Sequence, residues 1–332
     1  MVPLTVGQVQ CRLWHGLIPA VPVPCNASGE IDLAAQRAYV AWMAEQPIAG
    51  VAVWVHTGRG LHLKHEQRLQ VLGSWCEGLG ANKLIIAGVG GSPERAADFS
   101  DYVASALEMA RDAMDNGAHA FLVHPPRLFH HAGDTRETLL TYHREIASTG
   151  VPQFLFYLYE AAGGVAYSDE QLRELMNLPG MAGIKVATLD SVMTYQRIAD
   201  FMAREFPKHL LLTGEDRFFG YSLMCGAQAA LIGMGSASTA LQARMMAAFY
   251  ESRTSEFLEL SRKVDRLSQA TFIPPMEGYI RRMLWALVHQ GVISRDAAHD
   301  PWGPALPESE YAELGKALAD LGESAITRPS GA

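Results

Sequence analysis

The chain has 332 residues, carries a formal net charge of −8 and is 49% apolar and 19% charged; that is the balance of a globular enzyme with room for one large barrel and an appendage. An acidic pI near 5.8 and the absence of any basic run exclude the electrostatic footprint of a nucleic-acid binder, and Arg12 and the pair Arg281-Arg282 read as solvated helix faces. No uninterrupted apolar stretch of about eighteen residues predicts a membrane span, no charged leader precedes an apolar core, and the four cysteines (Cys11, Cys25, Cys76, Cys225) lack CxxC spacing, so a reduced, cytoplasmic protein without zinc or disulfides is expected.

In chain order, short apolar runs at 16–23, 50–55, 84–89, 120–123, 154–157, 182–186, 210–212 and 229–232 predict eight strands. Amphipathic segments at 32–45, 65–78, 99–116, 135–148, 169–177, 189–205 and 217–225 predict helices between them. Asn116-Gly117 puts a glycine where a left-handed C-cap ends a helix, and Ser168-Asp169-Glu170 opens another as an N-cap. Strand followed by helix, repeated eight times, argues a parallel sheet covered by helices and closed into a (β/α)8 barrel. From 252 to 321 the pattern is helical with no new strand, punctuated by Pro274-Pro275 and by prolines between 301 and 307. The expected organisation is a barrel with a short N-terminal extension over 1–250, a C-terminal helical region over 251–322 and a disordered tail over 323–332.

Active sites of such barrels lie at the C-terminal ends of the strands. There the sequence offers Val55-His56-Thr57-Gly58-Arg59, His124-Pro125-Pro126-Arg127, Phe156-Tyr157, Lys185, Thr213-Gly214-Glu215-Asp216 and Gly233-Met234-Gly235-Ser236. Lys185 ends an apolar strand, and a lysine buried there is pushed toward its neutral, nucleophilic form. An amine of that kind facing a tyrosine and a threonine suits imine chemistry. The amine attacks a 2-oxo group, the protonated imine serves as an electron sink, and the tyrosine relays protons. The glycines at 88, 90 and 91 lack the Walker lysine and the dinucleotide spacing, so they suit close backbone approach rather than phosphate binding. Histidines 56, 124, 130 and 131 with Glu215 or Asp216 lack the compact spacing of a metal site.

On these residues the chain resembles the dihydrodipicolinate synthase/N-acetylneuraminate lyase family of pyruvate-dependent class I aldolases. His56-Thr57-Gly58 resembles the second-strand turn that binds the pyruvoyl carboxylate, the stretch 152–157 the strand carrying the catalytic tyrosine, and Gly183-Ile184-Lys185 the Schiff-base motif. Further similar runs are 86–90, Gly214-Glu215-Asp216 and Gly226-Ala227, and the likeness covers roughly residues 15 to 290. It implies catalysis by Lys185 and Tyr157, with no cofactor beyond the covalent imine on Lys185. Substrate contacts are expected from Thr57, Gly58, His56, Arg127 and Glu215, with Leu231 on the eighth strand counted among them. The resemblance also implies a homo-oligomer, a dimer or tetramer, acting on a small 2-oxo acid with neither nucleic acid nor membrane as partner.

Three departures shape the expectation of substrate. His56 stands where the family's turn carries a relay hydroxyl, and imidazole can carry protons near neutral pH. Pro126 and Arg127 replace a tyrosine pair. Ala162 stands five residues after Tyr157, where the synthases keep an arginine. The expected activity is therefore aldol cleavage, condensation or dehydration of a 2-keto-3-deoxy sugar acid or a similar hydroxylated 2-oxo acid, rather than dihydrodipicolinate synthesis. The alternative is a barrel of the same family that retains the imine lysine but serves as a 2-oxo-acid-binding or regulatory protein.

Overall fold

A computed structural model describes residues 4–126 and 135–324. Helix α1 (Val6–Leu13) comes first, capped by Thr5, and forms the short N-terminal extension. Eight parallel strands follow: β1 (Leu17–Pro19), β2 (Gly50–Val53), β3 (Leu84–Val89), β4 (Ala120–Val123), β5 (Gln153–Leu158), β6 (Met181–Ala187), β7 (Leu210–Thr213) and β8 (Ala229–Ile232). β2 to β8 each pair with their sequence neighbours, β1 pairs with β8, and a bridge between Ala20 and Ala52 closes the circle. The (β/α)8 barrel is thus the observed fold. The first strand is shorter than expected, because Pro19, Pro22 and Pro24 remove donors the ladder needs.

The wall of the barrel is covered by α2 (Leu33–Ala44), α3 (His65–Gly78), α4 (Phe99–Asp115), α5 (Thr135–Ala147), α6 (Asp169–Met176), α7 (Val192–Glu205), α8 (Phe219–Met224) and α9 (Thr239–Tyr250). Asp32 caps α2 by accepting from the amides of Ala34 and Ala35, and a reciprocal Ser168–Gln171 box caps α6. The barrel interior is a separate apolar cluster that includes Ile18, Ala52, Ile86, Leu122, Phe154, Phe156, Leu212 and Leu231. Val9 and Leu13 of α1 belong to it, and Gln10 donates to the carbonyls of Ala182 and Lys208 at 2.9 Å each. α1 therefore plugs the N-terminal end of the barrel, leaving chemistry to the opposite mouth.

Helices α10 (Thr254–Thr271), α11 (Tyr279–His289) and α12 (Glu308–Leu321) follow the barrel, with a 3-10 turn at Met276–Gly278 leading into α11. Arg282 latches this region. Expected on a solvated helix face, it is 1% exposed; its Nε donates to Glu310 at 2.8 Å and its Nη1 to the carbonyl of Ile273 at 2.8 Å, with longer bonds to Thr271, Pro274 and Pro275. A guanidinium with five donors in a fixed fork suits such a cluster of carbonyls, because each is an acceptor that burial would otherwise leave bare. Arg282→Ala is expected to lower unfolding free energy by roughly 3–5 kcal/mol, the cost of breaking a buried, hydrogen-bonded ion pair. Urea unfolding with an unshifted midpoint would show that the latch is not needed.

Candidate active site

Lys185 lies near the mouth end of β6, where its side chain points into the barrel while Ile184 and Val186 on either side pack outward against the helices. It is 6% exposed, and among the described residues its amine makes no hydrogen bond or ion pair; its nearest aromatic neighbour is the Phe156 ring, with Nζ 4.2 Å from the centroid. Burial lowers its pKa, a shift opposed by the carboxylates of Asp216 and Glu215. The amine reaches this position because residue 214 has no side chain: a Cβ there would stand 2.7 Å from Lys185 Cε.

The structure corrects the tyrosine. Phe156, not Tyr157, is the residue of β5 paired directly with Lys185, and strand residues one apart point to opposite faces. Tyr157 packs in the outer cluster, edge-on to Tyr167 with ring centroids 5.8 Å apart, and the nearby Arg197 guanidinium opposes the burial that raises its phenol. It therefore faces away from the amine. The phenols that do line the lysine cavity are Tyr159, just beyond the end of β5, and Tyr279, the first residue of α11.

The turn after β2 is a 3-10 helix over His56–Gly58. The amide of Gly58 donates to the carbonyl of Val55 at 2.9 Å, so it is already engaged, contrary to the expected role on a substrate carboxylate. The amides of His56 and Thr57, first in that turn, have no carbonyl within it to bond. Arg59 closes the turn in a left-handed conformation (φ 51°), which a side-chain-bearing residue adopts at some cost. What holds it there is an ion-pair cluster with the C-terminal region. Arg59 is 7% exposed, with Nη1 2.8 Å from Glu277 and Nη2 2.8 Å from Asp300. His56 Nε2 lies 2.9 Å from the same Glu277, and Thr57 Oγ1 lies 2.8 Å from Tyr279 Oη.

Glu277, Tyr279 and Asp300 of the C-terminal region thus meet the β2 turn across more than 200 positions of sequence. Burial pushes the Glu277 carboxyl up, but the hydrogen bonds and charges of His56 and Arg59 outweigh it and hold the group at about 2. Burial and the adjoining Glu277 carboxylate raise the Tyr159 phenol. Tyr279 is stacked on Phe272 at 4.5 Å, and burial raises its phenol well above the usual value. No local pattern announces these contacts; an acid and an aromatic after Pro274-Pro275 are the only trace in the sequence.

Of the remaining expected contacts, Glu215 is wholly buried and accepts from the amides of Thr188 (2.6 Å) and Leu189 (3.1 Å), so it fixes the loop after β6 rather than lining the cavity. Burial pushes its carboxyl up to about 8 against those two donors. Its neighbour Asp216 is the cavity's acid: its Oδ1 accepts from the amide of Met234 at 2.7 Å, and burial raises its pKa while Lys185 lowers it. Leu231 is a fully buried member of the barrel interior and is absent from the cavity wall. Arg127, His130 and His131 lie outside the described residues. His56 and Asp216 do not converge on a metal-binding geometry. Among the described residues that geometry occurs at His65, Glu108 and Asp112 on α3 and α4, where Arg68 and Arg95 already pair with the acids.

The lysine cavity is small, about 40 Å³, and is lined by His56, Thr57, Phe156, Asp216, Gly233 and Tyr279 among others. Beside it, sharing His56 and Leu158, opens a chamber of about 570 Å³ walled by Leu61, His62, Tyr102, His124, Pro125 and Ala162. Burial drops the His124 imidazole to about 4, so it is neutral at physiological pH, and its Nε2 lies 3.3 Å from the Trp54 carbonyl.

Fold and site together define a (β/α)8 barrel organised around one desolvated amine. The chain belongs to the dihydrodipicolinate synthetase family, which matches residues 13–321. It is 24% identical to N-acetylneuraminate lyase 2 of Escherichia coli O6:H1 over 296 residues, covering 89% of this chain and 90% of that one. In fold it is similar to the sialic acid aldolase of Ruminococcus gnavus (TM-score 0.78, 18% identity, 94% and 98% of the two chains). It is also similar to a prophage protein of the dihydrodipicolinic acid synthase family from E. coli K12 in complex with pyruvate (TM-score 0.80, 18% identity, 93% and 98%). Among the described residues no helix is long and apolar enough to cross a membrane.

The Glu277 cluster has a pH signature. Its carboxyl is held at about 2 against an ordinary 4.5, so the stabilisation is complete above the ordinary value and is lost as pH falls from there toward 2. Melting temperatures measured across that interval should fall less steeply for Glu277→Gln than for the native chain. Parallel profiles would mean that the cluster does not couple to stability.

Proposed function

We propose that the protein is a Schiff-base-forming lyase in which the Lys185 amine adds to the ketone of a 2-oxo acid. The observation that carries this reading is the amine itself: buried, unpaired and lowered in pKa by burial at the mouth of a family barrel. An amine in that state is nucleophilic, and the iminium it forms withdraws electrons from the adjoining carbon. The carboxylate of the 2-oxo acid is met by the free amides of His56 and Thr57, a small nest suited to an anion, beside the Thr57 hydroxyl that bonds Tyr279. A cavity of about 40 Å³ suits the three-carbon pyruvoyl end, and the adjoining chamber of about 570 Å³ suits the remainder of the substrate. Ala162 lines that chamber where the synthases carry their arginine. The reading is therefore cleavage, condensation or dehydration of a hydroxylated 2-oxo acid, such as a 2-keto-3-deoxy sugar acid, rather than dihydrodipicolinate synthesis. One observation favours the second reading, a binding barrel without turnover: the residue paired with Lys185 is Phe156, which has no proton to give.

Incubation with pyruvate and borohydride, followed by peptide mass spectrometry, should place a reduced adduct on Lys185 and none in Lys185→Met. The rate of capture should rise with pH through a midpoint below the lysine value of 10.5, because burial lowers the pKa and the neutral amine is the attacking form. A native protein that takes up no adduct on Lys185 would sink the proposal.

A further inference from the structure

Phe156 leaves a chemical gap. Making an imine from an amine and a ketone requires a proton for the departing hydroxyl, and carrying the iminium on to an enamine requires a base for the neighbouring carbon; neither Phe156 nor the outward-facing Tyr157 can supply them. The structure assigns this work to Tyr279: we propose that a phenol delivered by the C-terminal region, hydrogen-bonded to Thr57, carries the protons of the Lys185 reaction. This inference rests on the lyase reading and names a residue that reading leaves open.

Four observations place Tyr279 for the task. Its ring lines the same cavity as Lys185. Its oxygen is 2.8 Å from Thr57 Oγ1, the hydroxyl at the carboxylate end of that cavity. The chain makes room for it, since a Cβ on Gly233 would stand 2.8 Å from Tyr279 Cε2. It is also held rigidly: Phe272 stacks on one side, the His56 ring lies 6.3 Å away at 22°, and the Arg282 latch fixes the preceding loop. Tyr159 also lines the cavity, and the Glu277 carboxylate disfavours a phenolate on both tyrosines. What sets Tyr279 apart is its hydrogen-bond partner, the neutral Thr57 hydroxyl, which can donate to the phenolate once it forms.

The steps balance. In the carbinolamine on Lys185, the C2–O bond breaks, the hydroxyl takes the Tyr279 proton and leaves as water, and the nitrogen lone pair forms C=N⁺. The resulting phenolate, stabilised by the Thr57 hydroxyl, removes a proton from C3. The C3–H electron pair becomes the C2=C3 bond of the enamine, and the C=N pair returns to nitrogen. Tyr279 is a phenol again and the enamine is ready to attack, or to be formed from, a carbonyl compound.

The test needs no knowledge of the second substrate. Exchange of the pyruvate methyl protons for deuterium in D₂O, followed by NMR, reports C3 deprotonation alone. Borohydride capture reports the imine. Tyr279→Phe should slow exchange by about 100-fold or more while long incubation still yields the Lys185 adduct, and Tyr157→Phe should exchange like the native chain. Phe156→Tyr added to Tyr279→Phe should recover part of the loss. A Tyr279→Phe protein that exchanges at the native rate overturns the proposal. So does a large gain from Phe156→Tyr alone, which would show that the native cavity lacks a proton carrier. A native protein that forms the adduct without exchange overturns the proton assignment and spares the imine, whereas a native protein that forms no adduct overturns the lyase reading beneath it.

Discussion

The mouth of this barrel depends on a single buried guanidinium. Arg59 is forced into a left-handed backbone conformation and is satisfied by two carboxylates, Glu277 and Asp300, both from beyond the barrel. A buried cation lacking such partners would be untenable, so the turn after β2 and the C-terminal region specify each other. Once docked, that region lays Phe272, Met276 and Tyr279 over the lysine cavity. The cover is what removes water from Lys185, and the absence of water is what lowers its pKa. The reactivity of the amine is thus set by a clamp on the rim as much as by its own strand.

The barrel was legible because its signal is repetitive: eight apolar runs separated by amphipathic segments admit few other folds. Lys185 was legible because an isolated charge in an apolar strand is conspicuous. The tyrosine was not. All six residues of β5 are buried, since a strand inside a parallel barrel is covered on both faces and shows no polar alternation. Counting back from Lys185 crosses the loop between β5 and β6, and one residue of difference there exchanges the inner and outer faces of the strand. Phe156 and Tyr157 are both aromatic neighbours in an unbroken apolar run, so only the ladder itself distinguishes them. Glu215 and Asp216 present the same ambiguity, again settled by which of the pair turns inward.

The contribution of the C-terminal region was hidden for a different reason. Thr57 and Tyr279 are separated by 222 positions and His56 and Glu277 by 221, and a pairing at that range leaves no period or spacing to read. Its function follows from topology: strands of a parallel barrel end at one rim, and a segment laid across that rim can touch several strand ends at once. The neighbouring chamber, with its neutral His124 and its paired Arg59, is shaped by the same docking on one side and by the β3 and β4 ends on the other.

Phe156 has one more effect. The ring face 4.2 Å from the Lys185 nitrogen is indifferent to a neutral amine but attracts a cation, by about 0.5–2 kcal/mol where water is excluded. Burial lowers the Lys185 pKa only to about 8, so on the proposed chemistry the resting ammonium and the bound iminium are both cations, and the ring stabilises each of them relative to the neutral amine that attacks. The aromatic wall thus holds positive charge on the nitrogen at both ends of the proposed step and opposes only the brief neutral amine between them.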